Sequence, residues 1–400
     1  MKILFIVPYV PNLIRVRPYN LIRSLTALGH EVTVLTLWVK ESEKNDIQKL
    51  ENICYRVLSQ KMPTWKSLLN CCWAIFSKDP LQSFYSWEPK LIDLVDDVNR
   101  YDVIHVEHLR GVRYALHFQD DPDCKVPVVW DSVDCISHLF RQAAGQSKSL
   151  FGSLMTKFDL PRTERFEGWL VNKLETILVT SAIDKSALIE LSQSNKVRAD
   201  VIVLPNGVNL EYFKPNPEVE RESSTLVVTG KMSYHANVTM VLNLVHKIMP
   251  KVWESRPDVK LYVVGKDPTP EITEAGKNPN IIVTGTVDDM RPYLQKATIA
   301  VAPVVYGAGI QNKVLEAMAC GVPVITTPQS ASAISAIPDE EFCIASGPVE
   351  FAEKTVQLIN NPARADQIGH AGYTFLRRNH DWMSISDRLE EVYDGVIHDD

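Results

Sequence analysis

The chain has 400 residues with an ordinary apolar fraction of 45%, more than one hydrophobic core usually serves, so a globular protein of two domains is expected. The formal net charge of −7 and the lack of any run rich in Lys and Arg exclude a typical nucleic-acid-binding protein. The seven cysteines are scattered, with neither a CxxC spacing nor a histidine partner, which indicates reduced thiols rather than a disulfide framework or a zinc site.

The amino terminus bears on where the protein resides. Met1 and Lys2 lead directly into an apolar stretch that is too short for a signal peptide and lacks a small-residue cleavage site. No uninterrupted apolar run reaches about 18 residues, so no membrane-spanning helix is expected. These features predict a cytoplasmic protein, and they leave open a peripheral position at the inner face of the cell membrane.

The first half of the chain alternates apolar runs with helical patterns. A strand over residues 2–7, a helix over residues 18–28 that Gly29 ends, and a strand over residues 31–37 form a βαβ unit. Further strands are predicted at residues 103–106, 126–130 and 176–180. This alternation predicts a parallel sheet with helices between its strands.

The same alternation restarts in the second half. After the turn signal Pro205-Asn206-Gly207 and a proline- and charge-rich stretch at residues 214–224, a new series of buried strands begins. These strands are predicted at residues 226–228, 259–264, 281–283, 299–301 and 322–326. The chain therefore reads as an α/β protein with two Rossmann-like, doubly wound parallel-sheet domains, residues 1–205 and 206–381.

Residues 307–325 predict a loop, a helix and a buried strand that are joined tightly. Glycines in the loop let the backbone approach a ligand, and the helix that follows turns unpaired N–H groups and its positive dipole end toward that ligand. The mouth of this helix consists of Gly309, Ile310, Gln311 and Asn312. Glu316 lies just under two turns further along. A diphosphate at the mouth with a hydroxyl-rich group reaching Glu316 describes a nucleotide sugar.

This stretch resembles the donor-binding signature of the retaining glycosyltransferases of family 4, which have the two-lobed GT-B fold. The resemblance is carried by Gly-Ile-Gln-Asn-Lys-Val-Leu-Glu-Ala-Met-Ala at residues 309–319, a variant similar to that of bacterial enzymes associated with exopolysaccharide assembly. The family has two glutamates eight positions apart. The resemblance implies that Glu316, the second, holds the ribose hydroxyls, whereas the first, which touches the donor sugar in the family, is replaced by Ala308.

The resemblance also implies an architecture and a reaction. The two domains would face a central cleft, and an amphipathic helix at residues 382–398 would pack back on the first domain. The expected reaction moves a hexose-type sugar from a nucleoside diphosphate to a hydroxyl of a glycan or lipid-linked glycan, with retention of configuration. In the family the departing diphosphate helps to remove the acceptor's proton. Neither a cofactor nor a metal is expected, since no Asp-x-Asp pair stands in the loop that metal-dependent transferases use.

The leaving diphosphate must be stabilised by positive charge. Lys231 follows the first strand of the second domain, where the family has a basic residue. The family's next lysine is absent, and Asn237 falls in that neighbourhood. Lys313 is a candidate replacement, because a lysine in the first turn of a helix opposes the dipole unless an anion is bound. The alternative is a solvated lysine.

Loops at the ends of the second domain's strands are expected to contact the nucleotide base through backbone groups. Gly285, Thr286 and Val287 fit this role by resemblance. Gly265 fits a plain strand-to-helix turn equally well. The sequence does not separate uridine from guanosine or adenosine.

The first domain is expected to hold the acceptor. Arg15 and Arg17, in its first loop, suit the recognition of phosphate or carboxylate, and a solvated loop is the alternative. His108 follows one predicted strand, and Asp131 and Asp134 follow the next. These residues are candidates for acceptor chemistry at the same edge of the sheet. A capping or otherwise satisfied polar group is the alternative for each.

Residues 65–87 have an unusual density of aromatic side chains, among them Trp65 and Trp73. An apolar face with tryptophans predicts an interfacial helix or a groove for a lipid acceptor. A helix packed on the first domain is the alternative, and it is favoured because only Lys66 and Lys78 supply positive charge.

Two other functions fit the same sequence. A nucleotide-sugar epimerase of the same fold would release an altered sugar and need no acceptor. A non-catalytic, two-lobed sugar-binding protein would need no reacting groups, and the lack of an export signal counts against it.

Overall fold

The computed structural model describes residues 1–13, 15–144, 150–192, 197–306 and 310–398. Contacts divide the chain into two compact units. One unit comprises Met1–Pro205 together with the carboxyl-terminal segment from Trp382, and we call it the first domain. The other, Asn206–Asp381, is called the second domain.

The first domain is built on a seven-stranded parallel sheet. Its strands are β1 Lys2–Val7, β2 Glu31–Trp38, β3 Arg56–Lys61, β4 Val103–Glu107, β5 Val128–Val133, β6 Thr176–Val179 and β7 Asp200–Val203. Its helices are α1 Val16–Ala27, α2 Lys44–Glu51, α3 Thr64–Ile75, α4 Leu81–Tyr85, α5 Pro89–Ile92, α6 Val112–Asp120, α7 Ile136–Ala144, α8 Leu150–Lys173 and α9 Ala182–Glu190, with short 3₁₀ turns at Glu41–Glu43 and Val98–Arg100. The strand order is β3-β2-β1-β4-β5-β6-β7.

The central strands of this sheet are covered on both faces. Leu4 and Ile6 of β1 belong to one apolar cluster, whereas Ile3 and Phe5 belong to another. Since side chains alternate between the two faces of a strand, a strand covered on both faces is apolar throughout. This is why the sequence pattern revealed β1, β2 and β4.

The two edge strands of the first sheet were not predicted. In β3 every residue is half-buried or exposed, and in β7 only Val201 is buried. An edge strand keeps a polar side that packs against little, so its sequence has no continuous apolar run.

The second domain is built on a six-stranded parallel sheet in the order β10-β9-β8-β11-β12-β13. Its strands are β8 Thr225–Thr229, β9 Lys260–Val264, β10 Ile281–Gly285, β11 Ile299–Ala302, β12 Val324–Thr326 and β13 Cys343–Ile344. Its helices are α10 His235–Asn243, α11 Met249–Ser255, α12 Pro270–Ala275, α13 Arg291–Lys296, α14 Asn312–Ala319, α15 Pro328–Ala331, α16 Gly347–Asn360 and α17 Pro362–Asn379, with a π-helical turn at Leu244–Ile248. The two sheets confirm the predicted α/β class with two Rossmann-like domains.

The last helix, α18 at Trp382–His398, belongs to the first domain. It buries Trp382, Ile385, Leu389 and Tyr393 in the cluster that also covers one face of β1. The hydroxyl of Tyr393 lies 2.8 Å from Nδ1 of His105 in β4. Among the residues described, no helix is both long and apolar enough to cross a membrane.

Candidate functional site

The strand order places the switch point of the second sheet between β8 and β11. At such a point the connections leave in opposite directions, so the two loops border a crevice at the carboxyl ends of the strands. Nδ1 of His235, after β8, lies 2.7 Å from the hydroxyl of Tyr306, after β11. The two rings also stack, with centroids 5.5 Å apart. This contact holds the start of α10, four residues after Lys231, against Tyr306, the last described residue before α14 on the β11 side.

The loop after β8 presents Lys231 to solvent on a fixed backbone. The Lys231 side chain is exposed, and its carbonyl oxygen accepts a hydrogen bond from Nδ2 of Asn237 at 3.0 Å. Asn237 is buried, so the residue found in place of the family's second lysine positions the loop instead. A Cβ built on Gly265 would lie 1.7 Å from the carbonyl oxygen of Gly230, so Gly265 is required for close packing of two loops.

The mouth of α14 is described only in part. Gly309, and with it Ala308, lies outside the described residues. Ile310 is buried in the core of the second domain, so its side chain is directed away from solvent. Gln311 has an extended backbone before the helix begins at Asn312. Oδ1 of Asn312 is buried and has no hydrogen-bond partner among the described residues.

Two ionisable groups of α14 lie next to this mouth with little compensation from the protein. Nζ of Lys313 donates to Oε1 of Gln311 at 2.9 Å, a neutral partner. Burial lowers the pKa of Lys313 to about 8, and Glu316 opposes this only in part. Burial raises the pKa of Glu316 to about 7 against the opposing charge of Lys313. No residue in the described ranges donates a hydrogen bond to the Glu316 carboxyl, which is therefore available to a ligand.

The residues predicted to contact the base follow β10. Gly285 has φ +68°, and a Cβ added at this position would have no atom within 4 Å, so the glycine serves the turn rather than a close approach. Thr286 and Val287 line a cavity of about 530 Å³. The rings of Tyr262 and Tyr293, which line the same cavity, lie 6.0 Å apart. The base-contact role of these residues stays a prediction.

The switch point of the first sheet lies between β1 and β4, and His108 directly follows β4. His108 has φ +67°, a strained conformation for a residue with a side chain. Burial, together with the charge of Arg110, lowers the pKa of His108 to about 4. Its Nδ1 accepts a hydrogen bond from the Arg110 backbone N–H at 3.2 Å. The neutral ring therefore carries its proton on Nε2 and can donate from there.

Asp134 lies one strand further along the same edge. Its Oδ1 accepts a hydrogen bond from the Thr180 hydroxyl at 3.3 Å. Burial, helped by the charge of Asp184, raises the pKa of Asp134 to about 7. A carboxyl of this kind can hold or release a proton near neutral pH, which keeps it a candidate for contact with an acceptor hydroxyl.

The structure gives Arg17 an internal partner. It is only 5% exposed, and its Nε donates to Oδ2 of Asp131 at 2.8 Å. Burial alone would raise the pKa of the Asp131 carboxyl, but Arg17 and His105 together hold this pKa below its usual value. The sequence predicts that Arg17 binds a substrate anion. In the structure its guanidinium instead lies inside the first domain, where the ion pair with Asp131 gives it a structural role.

Arg15 is only partly buried and keeps its predicted location in the first loop. Its guanidinium lies over the ring of Tyr9, 4.3 Å from the centroid, and Nη1 donates to the carbonyl oxygen of Val10 at 3.3 Å. Arg15 therefore stays a candidate for anion recognition, held near the end of β1.

The predicted aromatic segment divides into two parts. Ser67 and Ala74 are the buried residues of α3, so this helix packs on the domain through small side chains. Trp65 and Trp73 are 66% and 69% exposed. We call this surface the apolar face of α3, formed by Trp65, Leu68, Leu69, Trp73, Ile75 and Phe76. The packed alternative, which the sequence favoured, is correct for Trp87 but wrong for Trp65 and Trp73.

His235 and Tyr306 were not predicted from the sequence. His235 lies four residues after Lys231, and Tyr306 directly precedes the glycine loop; the sequence predicts both Lys231 and this loop as parts of the donor site. Aromatic residues that flank two loops of one predicted site were the available signal. Their mutual contact could not be inferred, because it joins positions that are 71 residues apart.

Comparison with known proteins covers both domains. A model described as "Glycosyltransferase Family 4" matches residues 15–212, and one described as "Glycosyl transferases group 1" matches residues 223–361. The structure is similar to that of sucrose-phosphate synthase from Thermosynechococcus elongatus, with a TM-score of 0.70 and 17% identity over 100% of both chains. It is also similar to Anabaena HepE in complex with UDP, with a TM-score of 0.66 and 13% identity over 99% of this chain and 100% of that one.

Two curated relatives are also similar to this chain. An uncharacterised 44.6 kDa protein from the cps region of Klebsiella pneumoniae is 20% identical over 90% of each chain. The phosphatidyl-myo-inositol mannosyltransferase of Mycobacterium leprae is 26% identical over 58% of this chain and 63% of that protein. The fold and these matches define a glycosyltransferase of the GT-B type. The chain belongs to glycosyltransferase family 4, which confirms the resemblance seen in its sequence.

Proposed function

We propose that this glycosyltransferase moves a hexose-type sugar from a nucleoside diphosphate to a hydroxyl of a glycan or lipid-linked glycan, with retention of configuration. The observation that carries the proposal is the arrangement at the switch point of the second sheet. There Lys231 is exposed in the loop just before His235, which contacts Tyr306 after β11, and Glu316 offers a carboxyl to which no described residue donates a hydrogen bond.

The donor would be held by this edge of the second domain. The backbone at Gly309 to Asn312 would receive the diphosphate at the positive end of the α14 dipole. Lys231 and Lys313 would neutralise it, and Lys313 is suited to this because a partly desolvated ammonium gains most from an anionic partner. Glu316 would accept hydrogen bonds from the ribose hydroxyls, with Gly285, Thr286 and Val287 at the base.

The expected chemistry needs no resident metal or cofactor. The acceptor oxygen bonds to the anomeric carbon as the bond from that carbon to the diphosphate breaks, and the leaving phosphate oxygen takes the acceptor's proton. The task of the protein is to stabilise charge on the leaving group and to orient both partners. His108 would contribute as a hydrogen-bond donor through Nε2, and Asp134 as an acceptor for a hydroxyl group.

Two relatives support the choice of substrates. The Mycobacterium leprae relative is named a phosphatidyl-myo-inositol mannosyltransferase, and the Klebsiella relative is named as a protein of the cps region. One structural neighbour was solved with UDP-glucose. These names favour a nucleotide-sugar donor and an acceptor that is a glycan or is joined to a lipid.

Calorimetry with UDP, GDP and ADP, followed by transfer assays with the sugars of whichever nucleotide binds, tests the proposal. We expect one nucleotide to bind with clear preference, and proton NMR of the product to show the donor's anomeric configuration. An epimerase would release a free altered sugar without any acceptor. Failure of all three nucleotides to bind would overturn the proposed donor site.

The apolar face of α3 suggests how a lipid-linked acceptor would be reached. Six large apolar side chains are exposed together on this face, and α8 holds the end of the helix, with Arg162 donating to the carbonyl oxygens of Ala74 and Ile75 at 3.1 and 2.8 Å. A rigid helix that presents tryptophans to solvent suits the interface of a membrane. We propose peripheral docking of the first domain through this face.

Liposome flotation tests this docking. Wild-type protein should float with vesicles of phosphatidylcholine and phosphatidylglycerol, and moderate salt should not release it, because apolar contact dominates. A Trp65→Ala/Trp73→Ala variant should lose most of its flotation. Trp169→Ala, which removes a 46% exposed indole elsewhere in the domain, is the matched control. Equal and negligible flotation of all three proteins would contradict membrane docking.

A further inference from the structure

A second large cavity lies on the outside of the first domain, along α6. Its volume is about 900 Å³, toward the upper end of the roughly 300–1,000 Å³ of small-molecule sites. None of the residues assigned above to the donor or to the reacting groups lines it, although Asp79 and Trp87 belong to the aromatic segment at residues 65–87. We call it the α6 groove, and its lining includes Asp79, Trp87, Arg113, Asp120, Arg165 and Trp169.

Flat aromatic surfaces form part of this groove. Trp169 is 46% exposed although its ring is held against Phe166, with centroids 5.6 Å apart. Trp87 packs on Tyr114 at 5.0 Å and is half-buried. Both indoles are therefore fixed in place while part of their surface stays accessible. The C–H face of a sugar ring packs well on such a surface, because it is apolar while the ring's hydroxyls point outward into polar surroundings.

Planar polar groups stand between the aromatic rings. Arg113 donates to Asp79 at 2.6 Å and lies over the ring of Phe84, 3.4 Å from its centroid. Its Nε is buried without a hydrogen-bond partner in the described part of the chain. Asp120 pairs with Lys173 across the surface. Guanidinium and carboxylate groups each present paired hydrogen-bonding atoms, which match neighbouring hydroxyls of a sugar.

The charges of the groove select against other ligands. The lining contains two arginines, Arg113 and Arg165, and three aspartates, Asp79, Asp120 and Asp121. Asp79 pairs with Arg113 and Asp120 with Lys173, so the groove offers little net positive charge to an anion such as a nucleotide or a phosphorylated head group. An acyl chain would desolvate these ion pairs without forming any hydrogen bond. A neutral, hydroxyl-rich ligand suits this mixture of aromatic and charged groups best.

The direction of the groove relates it to the acceptor. The chain enters α6 just after β4 and returns to the sheet at β5, so α6 runs against the strand direction. Arg113 thus lies near the carboxyl edge of the sheet, where His108 is found, and Asp120 lies near the opposite edge. The nine residues of α6 span about 13 Å. The groove leads away from the edge at which transfer is proposed.

We propose that the α6 groove is a carbohydrate-binding site that holds a non-reacting segment of the acceptor glycan, a neutral chain of several sugars. This inference rests on the proposed glycosyl transfer to a glycan. It adds that the enzyme recognises the acceptor at a second place, so a chain long enough to reach the groove binds better than a single sugar.

Binding of maltopentaose, mannopentaose and N-acetylchitopentaose to the full chain, measured by saturation-transfer NMR and tryptophan fluorescence, tests the groove. At least one pentasaccharide should bind the wild-type protein. Trp169→Ala should weaken that binding about fivefold or more, and Arg165→Ala, which alters an exposed side chain, should weaken it independently. Trp65→Ala removes a more exposed indole outside the groove and should leave this binding unchanged.

Several results would overturn the site. These are no binding of any pentasaccharide, equal binding by wild type, Trp169→Ala and Arg165→Ala, or displacement of the bound glycan by UDP, GDP or ADP. Calorimetry with these nucleotides on the same preparations separates the two proposals. Nucleotide binding without glycan binding defeats the groove alone, whereas glycan binding without any nucleotide binding defeats the proposed transfer.

Discussion

The carboxyl edges of the two sheets are built alike but carry charge differently. In the first domain Arg17 and Asp131 neutralise each other, and Glu167 accepts hydrogen bonds from the N–H groups of Ile136 and Ser137 at the start of α7. In the second domain Lys313 reaches only a neutral amide, and Glu316 has no hydrogen-bond partner among the described residues. A desolvated charge without a partner costs free energy. The difference indicates that the Arg17–Asp131 pair is stabilised inside the first domain, whereas Lys313 and Glu316 lack such a partner in the second.

The strongest test of this comparison is Asp131→Asn, which removes the carboxylate that pairs with the buried guanidinium of Arg17. Breaking such a pair typically costs about 3–5 kcal/mol, so the free energy of unfolding of the first domain should fall by that amount. Urea denaturation followed by tryptophan fluorescence measures it, because of the eight tryptophans only Trp253 lies in the second domain.

Glu316→Ala is the matched control in the second domain. The folded state raises the pKa of Glu316 from 4.5 to about 7. Above pH 7 the wild-type carboxyl is ionised in both states and its charge is disfavoured in the fold, so removing it at pH 8 should not destabilise the protein through charge. If Asp131→Asn were as stable as wild type, the Arg17–Asp131 pair would not stabilise the first domain.

The next largest effect is expected for Lys231→Ala. Loss of one electrostatic donor to a leaving group costs about 10²-fold or more in turnover, while loss of an exposed side chain should change stability by less than about 0.5 kcal/mol. Steady-state kinetics and thermal denaturation measure the two quantities. Lys251→Ala, at an exposed position of α11, should change neither. Near-native turnover in both Lys231→Ala and Lys313→Ala would transfer the role to other groups, with Arg15 next in line.

Glu316→Ala should also weaken nucleotide binding. A hydrogen bond to a charged carboxylate contributes about 1.5–3 kcal/mol, so the dissociation constant should rise by at least tenfold. Calorimetry with the preferred nucleotide measures the change. An unchanged affinity in the folded variant would show that Glu316 is not the ribose-binding group. The lack of a hydrogen-bond partner for its carboxyl would then have another cause.

The smallest expected effect is the pH dependence of donor binding. Hydroxyls that donate to Glu316 favour its ionised form, so affinity should rise as pH increases through about 7, the pKa of Glu316. The diphosphate favours protonated Lys313, so affinity should fall again above about pH 8. Calorimetry with a nucleotide sugar across this range should show a severalfold maximum between the two values. Glu316→Ala should abolish the acidic limb and Lys313→Met the alkaline limb, and a flat wild-type profile would contradict both roles.

The central strands and the glycosyltransferase signature could be predicted, but much of the site could not. The edge strands β3 and β7 could not be recognised, because few of their side chains are buried and their sequences therefore contain no continuous apolar run. The partner of Arg17 lies 114 residues away, and nothing local distinguishes an arginine that binds a substrate from one that binds Asp131. The exposure of Trp65 and Trp73 was likewise hidden, because a tryptophan-rich helix reads the same whether it packs on a core or faces solvent.

The sequence by itself therefore determined the fold class, the two domains and the family. Continuous apolar runs arise where both faces of a strand are covered, so they reveal the buried strands. The family signature at residues 309–319 is contiguous, so it can be read without the structure. The tertiary structure decided which charges are compensated, which aromatic residues are exposed, and that His235 contacts Tyr306. These properties depend on groups that folding brings together from distant parts of the chain, so the free energy of each charge or ring is set by neighbours that no local pattern records.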